Sequence, residues 1–250
     1  MKDLLFIAGA GLVAGAMNGI AGGGSFVTLP ALMAAGVPSV SANATSTVAL
    51  VPSALASAYA YRKDFAGFPG VSFRMMAAIS VAGGLCGALL LMVTPQRLFD
   101  AMIPWLLLFG TIIFAFGRKA GEWMRARVQI GPPTLMATQF ALGVYGGYFG
   151  GAVGIMMLAA WSLMTDASLA AMQPSRNLLN SAMNMTASLL FIFGGLIWWR
   201  QMFALLIGAV IGGYLAAHFA RKLDPNKARI AISCLNAVIT GLMFWKTFGR

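Results

Sequence analysis

Apolar runs close to the width of a lipid bilayer recur along almost the whole of this sequence. Crossing the hydrocarbon core as a helix takes about 20 mostly apolar residues. Runs of that kind lie near residues 4–21, 40–61, 75–93, 101–117, 134–152, 174–196, 202–217 and 230–245. Two more, 24–37 and 153–165, are too short for comfortable spans and read as halves of broken or re-entrant helices. Hydrophobic residues make up 60% of the 250 positions and charged residues only 9%, against about 25% charged in soluble domains. A soluble fold this apolar could not cover its own surface, so an all-α polytopic membrane protein is expected.

The net charge of +11 does not point to nucleic acid, because the basic residues form no face or module that reads it. They gather in short loops: Arg62, Lys63 and Arg74 in 62–74; Arg118, Lys119, Arg125 and Arg127 in 118–133; Arg221, Lys222, Lys227 and Arg229 in 218–229. Segments 94–100 and 197–201 carry only Arg97 and Arg200. Retention of Lys and Arg on the cytoplasmic side puts the three rich loops there, and both ends of the chain outside. Tryptophans near span ends, such as Trp105 and Trp245, fit an aromatic belt.

The six acidic residues (Asp3, Asp64, Asp100, Glu122, Asp166 and Asp224) all lie beside turns or charge clusters. A proton relay of intramembrane carboxylates is therefore not expected. Cys86, Cys234 and the single histidine, His218, have no metal-site spacing. No cofactor and no enzymatic constellation is expected.

A glycine ladder occurs twice. Gly11, Gly15, Gly19 and Gly22 recur 132 residues later as Gly143, Gly147, Gly151 and Gly154. Glycines three and four apart share a helix face and let another backbone approach, so close helix packing is the simplest reading. If each short hairpin makes no net crossing, three crossings remain per half, and an odd number inverts the second half. Two inverted-topology repeats follow, each a broken or re-entrant helix pair plus three transmembrane helices. The boundaries expected are 1–117 and 134–250 for the repeats and 118–133 for a basic cytoplasmic linker.

Polar groups inside the apolar runs mark where a substrate could sit. The first ladder, with Asn18 on it, runs into Gly22, Gly23, Gly24 and Ser25, with Pro30 soon after. Consecutive glycines open a helix, and the exposed N–H groups of a helix start suit an anion. Pro38 is followed by Asn43, Thr45 and Ser46, which can either face a cavity or bond their own helix carbonyls. In the second half Pro174 is followed by Ser175, Arg176 and Asn177, then Asn180 and Asn184. The three asparagines lie on one helical stripe and are costly to face to lipid. Arg176 is either a forked oxyanion ligand or an interfacial residue that snorkels to the cytoplasmic surface.

The stretch GLVAGAMNGIAGGGSFVTLPALMAAGVPSVSANATSTVAL resembles the first-repeat signature of the TauE/SafE sulfite exporter family, the TSUP permeases. The resemblance covers essentially the whole chain. It implies a bacterial inner-membrane permease for sulfite, organosulfonates or related sulfur anions, and carries over onto Gly22, Gly23, Gly24, Pro30, Ala42, Thr45 and Ser46. The second copy departs from the pattern, with Ile155, Met156 and Ser162 standing 132 residues after Gly23, Gly24 and Pro30. The expected partners are a small anionic substrate, membrane lipid and, as a homodimer, a second copy of the chain. Transport by alternating access is the expected activity, with an anion channel as the alternative.

Overall fold

Among the described residues, long helices are interrupted at two places by short ones produced by backbone breaks. In the computed structural model, which describes residues 2–20, 23–60, 70–125, 131–163, 169–219 and 225–249, they follow in this order. The first half holds α1 (Lys2–Ile20), α2 (Ser25–Ala34), α3 (Ser39–Ala60), α4 (Phe73–Val93) and α5 (Gln96–Arg125). The second holds α6 (Pro132–Tyr148), α7 (Val153–Trp161), α8 (Leu169–Phe193), α9 (Trp199–Phe219) and α10 (Pro225–Phe248). Gly22 lies outside the described residues, as do Arg62, Lys63, Arg127, Arg221 and Lys222 of the basic loops.

Among the described residues four segments are long and apolar enough to cross a membrane: Phe73–Val93, Gln96–Gly117, Trp199–Ala216 and Ile230–Phe248. Their outward faces are apolar, with Trp105, Ile207, Tyr214 and Trp245 all exposed, the arrangement a lipid solvent permits. Helices α3 and α8 carry the Ser, Thr and Asn residues, and they pack on each other inside the molecule. At about 1.5 Å per residue, α2 and α7 reach only about 15 Å, half the hydrocarbon thickness. The expected short, broken helices are therefore present in both halves.

Two boundaries differ from expectation for local reasons. Helix α5 continues past 117 to Arg125, because the polar stretch after Gly117 is rich in helix-forming Arg, Lys, Ala, Glu and Met. Helix α8 starts at Leu169 and takes Pro174 into its second turn, where the missing N–H frees one carbonyl near the helix start.

The glycine ladder is a packing device, and the packing repeats residue for residue. On the α1–α9 contact, a Cβ at Gly11, Gly15, Gly208 or Gly212 would strike the backbone of Leu205, Ala209, Ala8 or Leu12 respectively. On the α4–α6 contact, the same holds for Gly147, Gly83 and Gly87 against Gly84, Phe140 and Val144, and a Cβ at Gly143 would crowd Gly83 Cα at 3.0 Å and the Ser80 carbonyl oxygen at 3.2 Å. Each α1 position maps onto α6 by 132 residues, and each α9 position maps onto α4 by 125. The first helix of either half thus packs on the penultimate long helix of the other. Helices α3 and α8, and likewise α5 and α10, pack against their own counterparts. Exchange of the halves leaves this pattern unchanged.

Candidate functional site

The two helix breaks meet at the centre of this arrangement. In the first, Gly23 has φ +92°, a left-handed conformation that glycine adopts without strain. The Gly24 N–H, at the start of α2, donates to Asn18 Oδ1 at 2.8 Å, so the end of α1 caps the helix that follows. A side chain at Gly24 would come within 2.7 Å of the Ala14 carbonyl oxygen. In the second break Gly150 has φ +78° and Ala152 φ +60°. Ala152 precedes α7 as Gly24 precedes α2, so past the break the halves correspond by 128 residues, not 132. The second half turns one helical turn sooner, because left-handed backbone at Gly150 stops α6 at Tyr148.

Between the breaks lies a cavity of about 90 Å³. Asn18, Gly23 and Ser25 line it from the first break; Gly150, Ala152, Val153, Gly154 and Ile155 from the second. Thr47, Leu50 and Val51 come from α3, and Arg176, Asn180 and Asn184 from α8. One water needs roughly 10–15 Å³ of such space, so a small ion fits. The first-turn N–H groups of a helix have no partner within it. At α7 those belong to Val153 and Gly154 on the cavity wall, and they present partial positive charge to it.

Arg176 is placed by two neighbours. A Cβ at Gly154 would lie 3.2 Å from Arg176 Cδ and 3.6 Å from Cζ, so the side chain lies directly over the start of α7, where only glycine leaves it room. Asn177 Oδ1 accepts from Arg176 Nε at 3.1 Å and from Nη2 at 2.6 Å. Asn184 Nδ2 donates to the Asn180 carbonyl at 2.9 Å, which leaves Asn184 Oδ1 as an acceptor. Asn180 Oδ1 is buried and has no hydrogen-bond partner.

Of the residues singled out in the sequence, Asn18, Gly23, Ser25, Arg176, Asn180 and Asn184 come together on the cavity wall, with Gly24 one residue behind it. Asn43, Thr45 and Ser46 are buried and hold the scaffold instead. Asn43 Nδ2 donates to the Tyr148 carbonyl at 2.9 Å, closing the end of α6. Thr45 Oγ1 accepts from the Trp198 N–H at 3.1 Å, and Ser46 Oγ bonds Thr28 Oγ1, tying α3 to α2. Ser175 is buried away from the wall, and Asn177 meets the cavity only through Arg176. Thr47, which closes the polar stretch after Pro38, also lies on the wall, whereas Gly150, Ala152 and Val153 escaped sequence reasoning. The Gly150–Gly151 pair was the available signal for the second break, but it reads equally well as part of the packing ladder.

Two aromatic rings pack against each other beside the breaks. Phe26 at the start of α2 and Phe149 beside the second break stand edge to face at 6.5 Å, and both are fully buried.

Comparison with known proteins gives one consistent result. The family model described as sulfite exporter TauE/SafE matches residues 7–243. The probable membrane transporter protein YfcA of Escherichia coli K12 is 29% identical over 248 residues, covering 99% of this chain and 90% of that protein. A probable membrane transporter protein of Haemophilus influenzae is 28% identical over 237 residues, covering 94% and 92%. The probable membrane transporter protein ORF9 of a Sinorhizobium species is 25% identical over 219 residues, covering 87% and 83%. No solved structure gives a significant match.

Proposed function

The chain belongs to the sulfite exporter TauE/SafE family, and on that premise we propose that this multi-pass membrane transporter carries sulfite or a related small sulfur anion, such as an organosulfonate, outward across a bacterial inner membrane. It is a transporter and not an enzyme, in line with its family and its relatives. The observation that carries the anion reading is the wall of the central cavity. Arg176 and the start of α7 bring one full and one partial positive charge to the same space. Broken helices aimed at a central site recur in transporters built from inverted repeats.

Alternating access between inverted halves supplies the movement. The exchange pattern of the glycine contacts supports it, because two packings related by swapping the halves make the same contacts. Arg176, Asn18 and Asn180 bind the anion, Gly23, Gly24 and Ser25 shape the first break, and Asn177 holds Arg176. Asn43, Thr45, Ser46 and Ser175 keep the surrounding helices in register. The bacterial relatives support the inner membrane as its location.

Flux into proteoliposomes tests this reading. Labelled sulfite or ethanesulfonate should enter saturably and be accelerated by unlabelled anion on the far side, and Arg176→Ala should lower the flux at least about tenfold. Single-channel currents would replace the carrier with an anion channel. Wild-type flux and affinity in Arg176→Ala would remove the guanidinium from the site.

A further inference from the structure

Oxygen atoms converge where the second helix break faces the first. A Cβ built on Gly150 would have three oxygens as its nearest neighbours among the described residues: the Gly146 carbonyl at 3.5 Å, Asn184 Oδ1 at 3.9 Å and Ser25 Oγ at 4.0 Å. They come from the end of α6, from α8 and from the first turn of α2. Glycine at 150 keeps the space beside them open, and Ser25, Gly150 and Asn184 all line the central cavity.

Two of these oxygens are turned there for reasons visible in the backbone. Helix α6 stops at Tyr148, and the Phe149 and Gly150 N–H groups both go to the Tyr145 carbonyl. The Gly146 carbonyl thereby loses the Gly150 N–H that a continuing helix would give it, and it carries the partial negative charge of a helix C-terminus. Asn184 Nδ2 donates to the Asn180 carbonyl at 2.9 Å. A carbonyl oxygen accepts only from a donor, so the amide oxygen is the atom left toward Gly150.

Carbonyl, amide and hydroxyl oxygens suit hard cations, and carbonyls at broken helix ends coordinate sodium in transporters of this architecture. The cavity wall carries no carboxylate among the described residues, so the site suits one positive charge and not two. We propose that the Gly146 carbonyl, Asn184 and Ser25 bind a sodium ion, which is taken up together with the anion. Arg176 stands eight residues before Asn184 on α8, about 12 Å along the helix axis, so an anion between them is attracted from both ends. The ion also ties the halves together, because Ser25 belongs to the first break and the other two ligands to the second half. The cation site stands on its own oxygens; joint uptake rests on the anion reading above.

Melting midpoints of the purified full chain in nanodiscs, in sodium or choline chloride at one ionic strength, test the proposal. Sodium should raise the midpoint progressively with its concentration, and choline should not. Asn184→Ala and Ser25→Ala should each weaken sodium binding at least about tenfold, and Asn184→Asp, which adds a negative charge to the same ligand, should tighten it at least about tenfold. Sodium should tighten ethanesulfonate binding several-fold, and ethanesulfonate should tighten sodium binding by the same factor. A midpoint that does not distinguish sodium from choline would overturn the cation site, with water filling the space between the oxygens. Unchanged sodium affinity in Asn184→Asp would overturn it too. Equal ethanesulfonate affinity in the two salts would overturn joint uptake and leave the cation site standing. No effect of ethanesulfonate in either salt would overturn the anion reading, and joint uptake with it, but not the cation site. The wild-type comparison and the aspartate variant decide these outcomes even if an alanine variant fails to fold.

Discussion

Replacing Gln139 by leucine keeps about the same volume and removes a hydrogen-bonded crossroads between three helices. Gln139 on α6 is buried; its Nε2 donates to Ser80 Oγ on α4 at 2.8 Å, and its Oε1 accepts from Trp161 Nε1 on α7 at 3.0 Å. Ser80 Oγ donates onward to the Met76 carbonyl at 2.7 Å, so it keeps a partner when Gln139 is lost. Trp161 Nε1 does not keep this one. An intramolecular hydrogen bond contributes about 0.5–1.5 kcal/mol net, and interhelical hydrogen bonds in a bilayer couple by about 0.6 kcal/mol on average and about 1.7 at most. Gln139→Leu should therefore destabilise by about 1–2 kcal/mol. Trp161→Phe should cost more, since it also trims a buried ring. The double variant should cost less than the sum of the singles by about 1 kcal/mol. Denaturation midpoints in mixed micelles, fitted for all four proteins, give the cycle. Costs that add to within about 0.3 kcal/mol would refute the reasoning, because the network would then not anchor α7. The α1–α9 contact shows the apolar alternative: Ile7, 132 residues before Gln139, and Leu205, 125 after Ser80, are both fully buried.

The glycines divide into two testable groups. Gly147→Ala should destabilise by several kcal/mol or block folding, since its Cβ would enter the Gly84 backbone, whereas Gly241→Ala in α10 meets nothing within 4 Å and should stabilise by about 0.5–1 kcal/mol; thermal midpoints of the two variants check the contrast. Asn177→Ala should raise the apparent KM for anion flux several-fold and leave the melting temperature within a few degrees, because it releases Arg176 without touching the cavity. Thr45→Val, which removes the acceptor of the Trp198 N–H, should lower stability by about 1 kcal/mol while leaving the relative affinities for different anions unchanged.

The membrane class, the short helices and the glycine-mediated helix contacts were legible in the sequence, because each leaves a periodic or compositional mark. Spans need length and apolar character, and close helix contacts need glycine at spacings of three and four. The lining of the cavity was half legible. Arg176, Asn180 and Asn184 stood out because polar groups inside an apolar run demand a partner. Asn43, Thr45 and Ser46 stood out for the same reason, yet their partners are a carbonyl, a backbone N–H and a hydroxyl of the scaffold. Polarity in a membrane helix signals that something must be met; it does not say whether a ligand or another helix meets it.

What decides between those outcomes is where the backbone breaks, and that was the part a fixed offset could not find. The halves keep one register along α1 and α6, then lose a turn at Gly150, so Ala152 and not Met156 stands in the place of Gly24. That shift brings Gly154 under the Arg176 side chain. Had α7 begun four residues later, its start and the guanidinium would not share a wall. The chemical inequality of the halves therefore has a geometric origin. The first break is closed by its own Asn18 cap, and the second is left open toward the charge that α8 supplies.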